Sequence, residues 1–136
     1  MTRSIQPAVS PPRSIADGLL TALSPRTYAH ISRHVDGILT TSERSILQAL
    51  QLTWERTKQL VEPSACVGLG IVLQAKEEWV KAVLGVVRRK LAATRTETPA
   101  ANQDEKTVVD VRIVIVWTGG NVELAKIVPA LSTLDD

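Results

Sequence analysis

The chain has 136 residues and a mass of 14.8 kDa, a length that favours one domain at most. Apolar residues make up 44% of the sequence, which is typical of globular rather than disordered chains. The net charge of +2 is too small to indicate nucleic-acid binding, and no aromatic residue lies among the basic residues near Arg88 to stack on bases.

Cysteine content and hydropathy set the expected compartment. Cys66 is the only cysteine, so an internal disulfide is excluded and a reducing compartment is favoured. The N-terminal residues lack the apolar stretch of a signal peptide, and no apolar run approaches the roughly 20 residues needed to cross a bilayer. We therefore expect a cytoplasmic protein that associates with neither membranes nor nucleic acid.

The first half of the chain predicts two helices around a short strand. A turn-rich segment over 14–23 precedes a helix over 25–34, for which Ser24 is the expected cap. Residues 35–40 are predicted to form a strand. Thr40 and Glu43 have the spacing of a capping box at the start of the next helix. That helix is expected to bury a stripe at helical period, formed by Ile46, Leu47, Leu50, Trp54, Leu60 and Val61.

The second half predicts three more helices and the clearest strand. Apolar and amphipathic helices are expected over 65–74 and 76–93, followed by a polar loop over 94–107. Residues 108–117 are rich in β-branched side chains and predict a buried strand, which a final helix over 121–127 follows. The few aromatic residues imply an aliphatic core of Val, Ile, Leu and Ala, which suits buried parallel strands covered by helices, so we expect an α/β fold in which helices flank a short parallel sheet.

Three short motifs are candidates for chemistry. Residues 118–121 (TGGN) follow the predicted strand, at the sheet edge where α/β proteins bind ligands, although an ordinary strand-to-helix turn has the same pattern. Residues 62–70 contain two glycines, but Leu73 stands where a dinucleotide-binding motif requires glycine, so close helix packing is the better interpretation. Residues 14–18 (SIADG) by themselves indicate only a turn.

Other candidates for chemistry are weaker. His30 and His34 have the spacing of paired metal ligands, but Ile31 occupies the position of the metalloprotease glutamate, and we predict no metal site. Cys66 lies in an apolar helix and is expected to be a small buried hydrophobe. Trp54 and Trp79 are expected to be core or half-buried helix residues.

Five segments that follow one another along the chain carry a resemblance: 14–19 (SIADGL), 34–36 (HVD), 53–56 (TWER), 61–65 (VEPSA) and 119–124 (GGNVEL). They resemble the serine racemase and serine/threonine dehydratase family, which are fold-type-II enzymes dependent on pyridoxal phosphate. The resemblance implies the second half of a catalytic domain like that of the tryptophan synthase β chain. Residues 14–127 would form this portion, between an irregular segment, 1–13, and a tail, 128–136.

The resemblance also implies a cofactor site. Gly18 and Thr21 would lie near pyridoxal phosphate, and Glu62 would approach its pyridine ring. Thr118 stands where the family usually has a serine that hydrogen-bonds the pyridine nitrogen. The residues implied to follow it at the site are Gly119, Gly120 and Asn121.

The family's Schiff-base lysine and glycine-rich phosphate loop have no counterpart here, because none of the six lysines has the family's sequence context. We therefore predict no catalytic residue and no activity for the isolated chain. The ancestral reaction would be racemisation or dehydration of serine or threonine. One alternative is that the chain completes a separate N-terminal half, and another is that it docks without catalysis on a full-length homologue. A third is a truncated gene with no independent function.

Overall fold

Five α-helices dominate the part of the chain that the computed structural model describes, which comprises residues 5, 10, 12–74, 76–94 and 110–134. A 3₁₀ turn, Asp17–Leu19, precedes the first of them. The helices are α1 (Pro25–His34), α2 (Glu43–Thr57), α3 (Pro63–Gln74), α4 (Glu77–Thr94) and α5 (Leu124–Ser132).

The core forms where α2 packs against α3, with α5 and the 3₁₀ turn on its margins. Leu50 of α2 and Cys66 of α3 are fully buried at its centre. The two helices approach closely because Gly70 has no side chain, and a methyl group there would lie 2.9 Å from the carbonyl oxygen of Ser45. The buried apolar cluster contains Ala16, Ile46, Ala49, Leu50, Val61, Ala65, Cys66 and Ile127.

The stripe predicted for α2 is confirmed by the burial of Ile46, Leu47 and Leu50, and Trp54 packs partly buried against the core, but Leu60 is 60% exposed. Both predicted ends of the helix are wrong. Ser42, and not Thr40, caps α2 by accepting a hydrogen bond from the Ser45 amide at 3.3 Å. Lys58 ends the helix in the left-handed conformation with φ of 60°. A capping residue needs an oxygen within reach of the first free amides, and Ser42 lies nearer to them than Thr40.

The other predicted helices are all found, and only α1 keeps its predicted boundaries, while α4 is displaced by one residue at each end. α1 spans the predicted residues, and Ser24 caps it by accepting from the Thr27 amide at 3.2 Å. α3 begins at Pro63, two residues before the prediction, because proline suits the first turn of a helix. α5 begins three residues later than predicted and continues to Ser132. Neither α1 nor α4 contributes a buried residue to the described structure.

The predicted parallel sheet is wrong for the described residues, which contain no β-strand. Residues 35–40 and 110–117 are neither helical nor paired in a ladder. The remainder of the second predicted strand and nearly all of the predicted loop over 94–107 lie outside the described residues. A strand needs a neighbour to satisfy its backbone donors and acceptors, and the two segments do not supply this to each other.

The unpaired segment 110–117 keeps much of its apolar surface in solvent. Val114 and Val116 are 86% and 73% exposed. Ile115 packs the other way, where a methyl group added to Gly68 of α3 would lie 3.2 Å from its Cγ2 atom. None of the helices in the described ranges is long and apolar enough to cross a membrane.

Cys66 behaves as the small buried residue that the sequence predicts. Its thiol is fully buried and lies 4.0 Å from the hydroxyl of Thr53, which itself donates to the carbonyl of Ala49 at 2.8 Å. Burial raises the pKa of the Cys66 thiol, an effect only partly offset by Thr53. The neutral thiol is therefore favoured in the folded protein.

We expect the thiol of Cys66 to react slowly with a disulfide reagent in buffer and rapidly in denaturing urea, because only the exposed thiolate attacks. Its raised folded pKa also means that the unfolded chain ionises first. The stabilisation that the buried neutral thiol of Cys66 contributes is fully present below the ordinary thiol pKa. It is lost as the pH rises through the raised pKa of the folded state. Comparison with Cys66→Ala isolates this alkaline loss, and an equal loss in both proteins would contradict the assignment.

Candidate functional site

The Glu62 side chain lies between two glycines that are distant in the sequence. A methyl group built on Gly18 would lie 3.6 Å from one Glu62 carboxylate oxygen, and a methyl group on Gly119 would overlap the Glu62 carboxyl group. The Glu62 amide donates to the carbonyl of Gly119 at 3.3 Å. The absence of side chains at the two glycines thus allows three segments to meet at one carboxylate.

The backbone conformation at Gly119 is one that only glycine adopts easily. Its φ is +81°, in the left-handed region where a Cβ atom is disfavoured. The next residue, Gly120, also lies against the turn before α3, and a methyl group there would be 3.4 Å from the carbonyl oxygen of Leu60. The two glycines place the segment before α5 directly against the start of α3.

The start of α3 also holds the 3₁₀ turn. The Gly18 amide donates to the Ser64 hydroxyl at 3.1 Å, while Glu62 accepts at its carbonyl from the Ala65 amide at 3.0 Å. On the core side, the indole of Trp54 donates to the carbonyl of Val61 at 3.0 Å. The turn that carries Glu62 is therefore fixed from both sides by polar contacts.

A cavity of about 290 Å³ opens beside Glu62. The carboxylates of Asp17, Glu62 and Glu123 and the ammonium of Lys126 lie among its lining residues, so its charged groups carry a net negative charge. Asn121 is another of the lining residues. Cations or neutral polar groups are favoured there over anions.

Lys126 is held by an ion pair within the lining. Its ammonium lies 2.5 Å from the carboxylate of Glu123, the residue that immediately precedes α5. The hydrogen bond and charge of Glu123 raise the pKa of Lys126, and the charge of Asp17 adds to the increase. Lys126 therefore remains protonated at neutral pH and is a poor nucleophile.

The structure brings five of the seven predicted site residues to this region. Gly18, Glu62 and Gly119 meet directly, Gly120 packs beside them, and Asn121 lines the cavity. The two hydroxyl residues, Thr21 and Thr118, are exposed and do not line it. The described residues hold no cluster of three or more His, Cys, Asp or Glu side chains suited to a metal ion.

Sequence reasoning missed three polar groups around the site. Ser64 lies inside a motif that the sequence singles out, yet its hydrogen bond to Gly18 spans 46 residues and leaves no local signal. Lys126 lies three residues after Glu123, the spacing of an ion pair on a helix, which is the one clue to its place in the lining. Glu43 was interpreted as a capping residue, whereas its carboxylate bonds the segment before Gly18.

The sequence of the chain is similar to parts of known enzymes. No family model matches the chain. The serine racemase of Dictyostelium discoideum is 33% identical over 116 residues, which are 85% of this chain and 28% of that protein. The L-threo-3-hydroxyaspartate ammonia-lyase of Saccharomyces cerevisiae is 39% identical over 80 residues, or 58% of this chain and 24% of that protein. These matches show that the chain is similar to part of the serine racemases and ammonia-lyases, a family of pyridoxal-phosphate enzymes.

The similarity to serine racemases and ammonia-lyases confirms the resemblance carried by the five sequence segments. A solved threonine deaminase is 46% identical, with a TM-score of 0.47, and covers 49% of this chain and 25% of that structure. The chain spans 28% of the length of the Dictyostelium serine racemase and 24% of the length of the yeast ammonia-lyase.

The conformation at Gly119 gives a direct test of this turn. We expect Gly119→Ala to lower the free energy of unfolding by about 2 kcal/mol, because alanine is strained at φ of +81° and its methyl group overlaps the carboxyl group of Glu62. Urea denaturation followed by circular dichroism measures the change. Gly37→Ala is the control, since a methyl group there has no neighbour within 4 Å and Gly37 has no positive φ. Equal effects of the two substitutions would refute the prediction.

Proposed function

We propose that this chain forms one wall of a pyridoxal-phosphate site in an enzyme that racemises or dehydrates serine or threonine. The observation that carries the proposal is the meeting of Gly18, Glu62 and Gly119 around one carboxylate. These residues come from the three separate segments to which the family resemblance assigns cofactor contacts. Their convergence supports a shared site, since unrelated turns would have no reason to meet.

The residues proposed to face the cofactor divide by role. Glu62 would lie beside the pyridine ring, and the Thr118 hydroxyl would hydrogen-bond the ring nitrogen. Gly18, Gly119 and Gly120 would let the backbone approach, while Thr21 and Asn121 would provide polar contacts at the margin. When bound, pyridoxal phosphate stabilises negative charge on the substrate α-carbon, and a neutral hydroxyl partner keeps the ring less electron-withdrawing than a carboxylate partner would.

The residues fit only one side of the cofactor. A small neutral hydroxyl and flexible glycines suit the edge of a planar ring. The phosphate end fits poorly, because the cavity lining has three carboxylates against Lys126, which is already paired with Glu123. We therefore derive no catalytic step from this chain. The phosphate ligands and the Schiff-base lysine would come from residues outside the 136, in the same polypeptide or in a second one.

A second candidate function is docking on a homologue without catalysis. The exposed and unpaired segment 110–117 favours it, because that backbone offers donors and acceptors to a strand of another polypeptide. Binding to a full-length homologue without any gain of activity would distinguish this candidate from completion of an active site.

The test begins with a pyridoxal-phosphate titration of the pure chain, followed by borohydride reduction and peptide mapping. We expect scattered labelling with no lysine modified stoichiometrically, since none of the six lysines has the sequence context of the family's Schiff-base lysine. Stoichiometric labelling of one lysine would show that the chain has a complete site, against the proposal.

The second stage adds a polypeptide corresponding to the region of the Dictyostelium serine racemase that precedes the match. We expect release of pyruvate and ammonia from serine, or formation of D-serine, only in the mixture. Thr118→Val, which removes the hydroxyl but keeps the size of the side chain, is expected to lower that activity at least about ten-fold. Stable association without activity would favour the docking function, and the absence of both would contradict each candidate.

A further inference from the structure

A carboxylate from α2 holds the segment that leads to Gly18. Glu43, the first residue of α2, accepts hydrogen bonds at both of its carboxylate oxygens. The Ser14 hydroxyl donates to one at 2.7 Å, and the Ile15 amide donates to the other at 2.8 Å. Hydrogen bonds to an ionised acceptor are stronger than those between neutral groups, and two together fix an orientation.

The contacts continue from Ser14 to the site. The Ser14 hydroxyl also accepts from the Ala16 amide at 3.0 Å, and Ala16 is fully buried in the core. Two residues later, the Gly18 amide donates to Ser64 of α3 at 3.1 Å. The five residues from Ser14 to Gly18 are therefore held at one end by α2 and at the other by α3.

We propose that Glu43 is a positioning residue that sets Gly18 against Glu62. Its importance for cofactor binding rests on the function proposed above, but its structural role does not. Helix capping does not account for its geometry, because Ser42 already caps α2 through the Ser45 amide. The carboxylate is directed instead at a segment 28 and 29 residues earlier in the chain.

Amide hydrogen exchange on the full chain, followed by NMR, tests the role residue by residue. In Glu43→Ala we expect the Ile15 and Gly18 amides to exchange at least about ten times faster, because a charge-assisted hydrogen bond is lost. Glu43→Gln should give a smaller increase, since one amide oxygen can replace one of the two acceptors. The amide of Leu50, in the buried part of α2, should exchange at the wild-type rate.

Ser42→Ala is the matched control. It removes the cap of α2 without touching Ser14, so the Ser45 amide should exchange faster while Ile15 and Gly18 keep their rates. Unchanged exchange at Ile15 and Gly18 in Glu43→Ala would overturn the proposal. Faster exchange at Leu50 as well would also overturn it, because Glu43 would then act on helix stability. Glu43→Gln decides the question if the alanine variant does not fold.

The same variants separate this inference from the proposed function. If Glu43→Ala loosens Gly18 but the complemented wild-type mixture shows no activity, the positioning role stands and the cofactor site does not. If the mixture is active, we expect Glu43→Ala to weaken its affinity for pyridoxal phosphate at least about five-fold, with partial recovery in Glu43→Gln. Unchanged cofactor affinity in an active mixture would refute the link to the site.

Discussion

Replacing Leu50 by alanine is expected to lower the free energy of unfolding by about 3 kcal/mol, because it removes buried methyl groups and leaves a cavity between α2 and α3. Leu50 is fully buried at the centre of the only large helix-to-helix contact in the described structure. Chemical denaturation monitored by the helical circular dichroism signal measures the loss. A marginally stable chain would be largely unfolded by this one change.

Leu52→Ala is the control for the Leu50 substitution. It changes the same residue type in the same helix at a position that is 36% exposed. Because Leu52 buries less apolar surface than Leu50, we expect Leu52→Ala to lower the free energy of unfolding by about 1 kcal/mol or less. Comparable losses at the two positions would show that α2 does not present its Leu50 face to α3.

Gly70→Ala is expected to destabilise the chain by about 1–3 kcal/mol through overpacking. The added methyl group would lie 2.9 Å from the backbone oxygen and 3.2 Å from the backbone carbon of Ser45, and neither atom can rotate away as a side chain could. Relieving the contact requires α2 and α3 to separate. Alanine is otherwise the better helix former, so the clash must exceed a gain of about 1 kcal/mol from helix propensity.

Gly85→Ala tests that gain without the clash. Gly85 lies within α4, where the nearest atom to an added methyl group is the end of the Arg89 side chain at 4.0 Å. We expect Gly85→Ala to leave the stability of α4 unchanged or to raise it by up to about 1 kcal/mol, because alanine has the higher helix propensity. Stabilisation by both alanine substitutions would contradict the close approach of α2 and α3.

The helices could be predicted from sequence because their signals are local. Ile46 and Leu50 recur at helical period, and Ser24 lies beside the proline that opens α1. The strands could not be predicted in the same way, because strand formation depends on a neighbour that the sequence of the segment does not specify. Residues 110–117 have the composition of a buried strand and remain unpaired in the described structure.

The site could be predicted in part, and only through the family resemblance. Composition and spacing gave Gly18 no role beyond a turn, and its distance from Glu62 in the sequence hides their contact. The bonds from Glu43 to the Ser14 segment span 28 and 29 residues, so a pattern read over four residues assigned Glu43 to the wrong partner. Contacts of this kind depend on the tertiary fold and become visible only in three dimensions.

The absence of buried residues from α1 and from the described part of α4 sets the size of the cooperative unit. Together these helices contain 28 residues, and their unfolding would expose little surface that is now buried. The denaturant dependence and heat capacity of unfolding scale with newly exposed surface, so both should be smaller than the values usual for 136 residues. We expect α1 to open in small independent fluctuations, while α2, α3 and α5 unfold together.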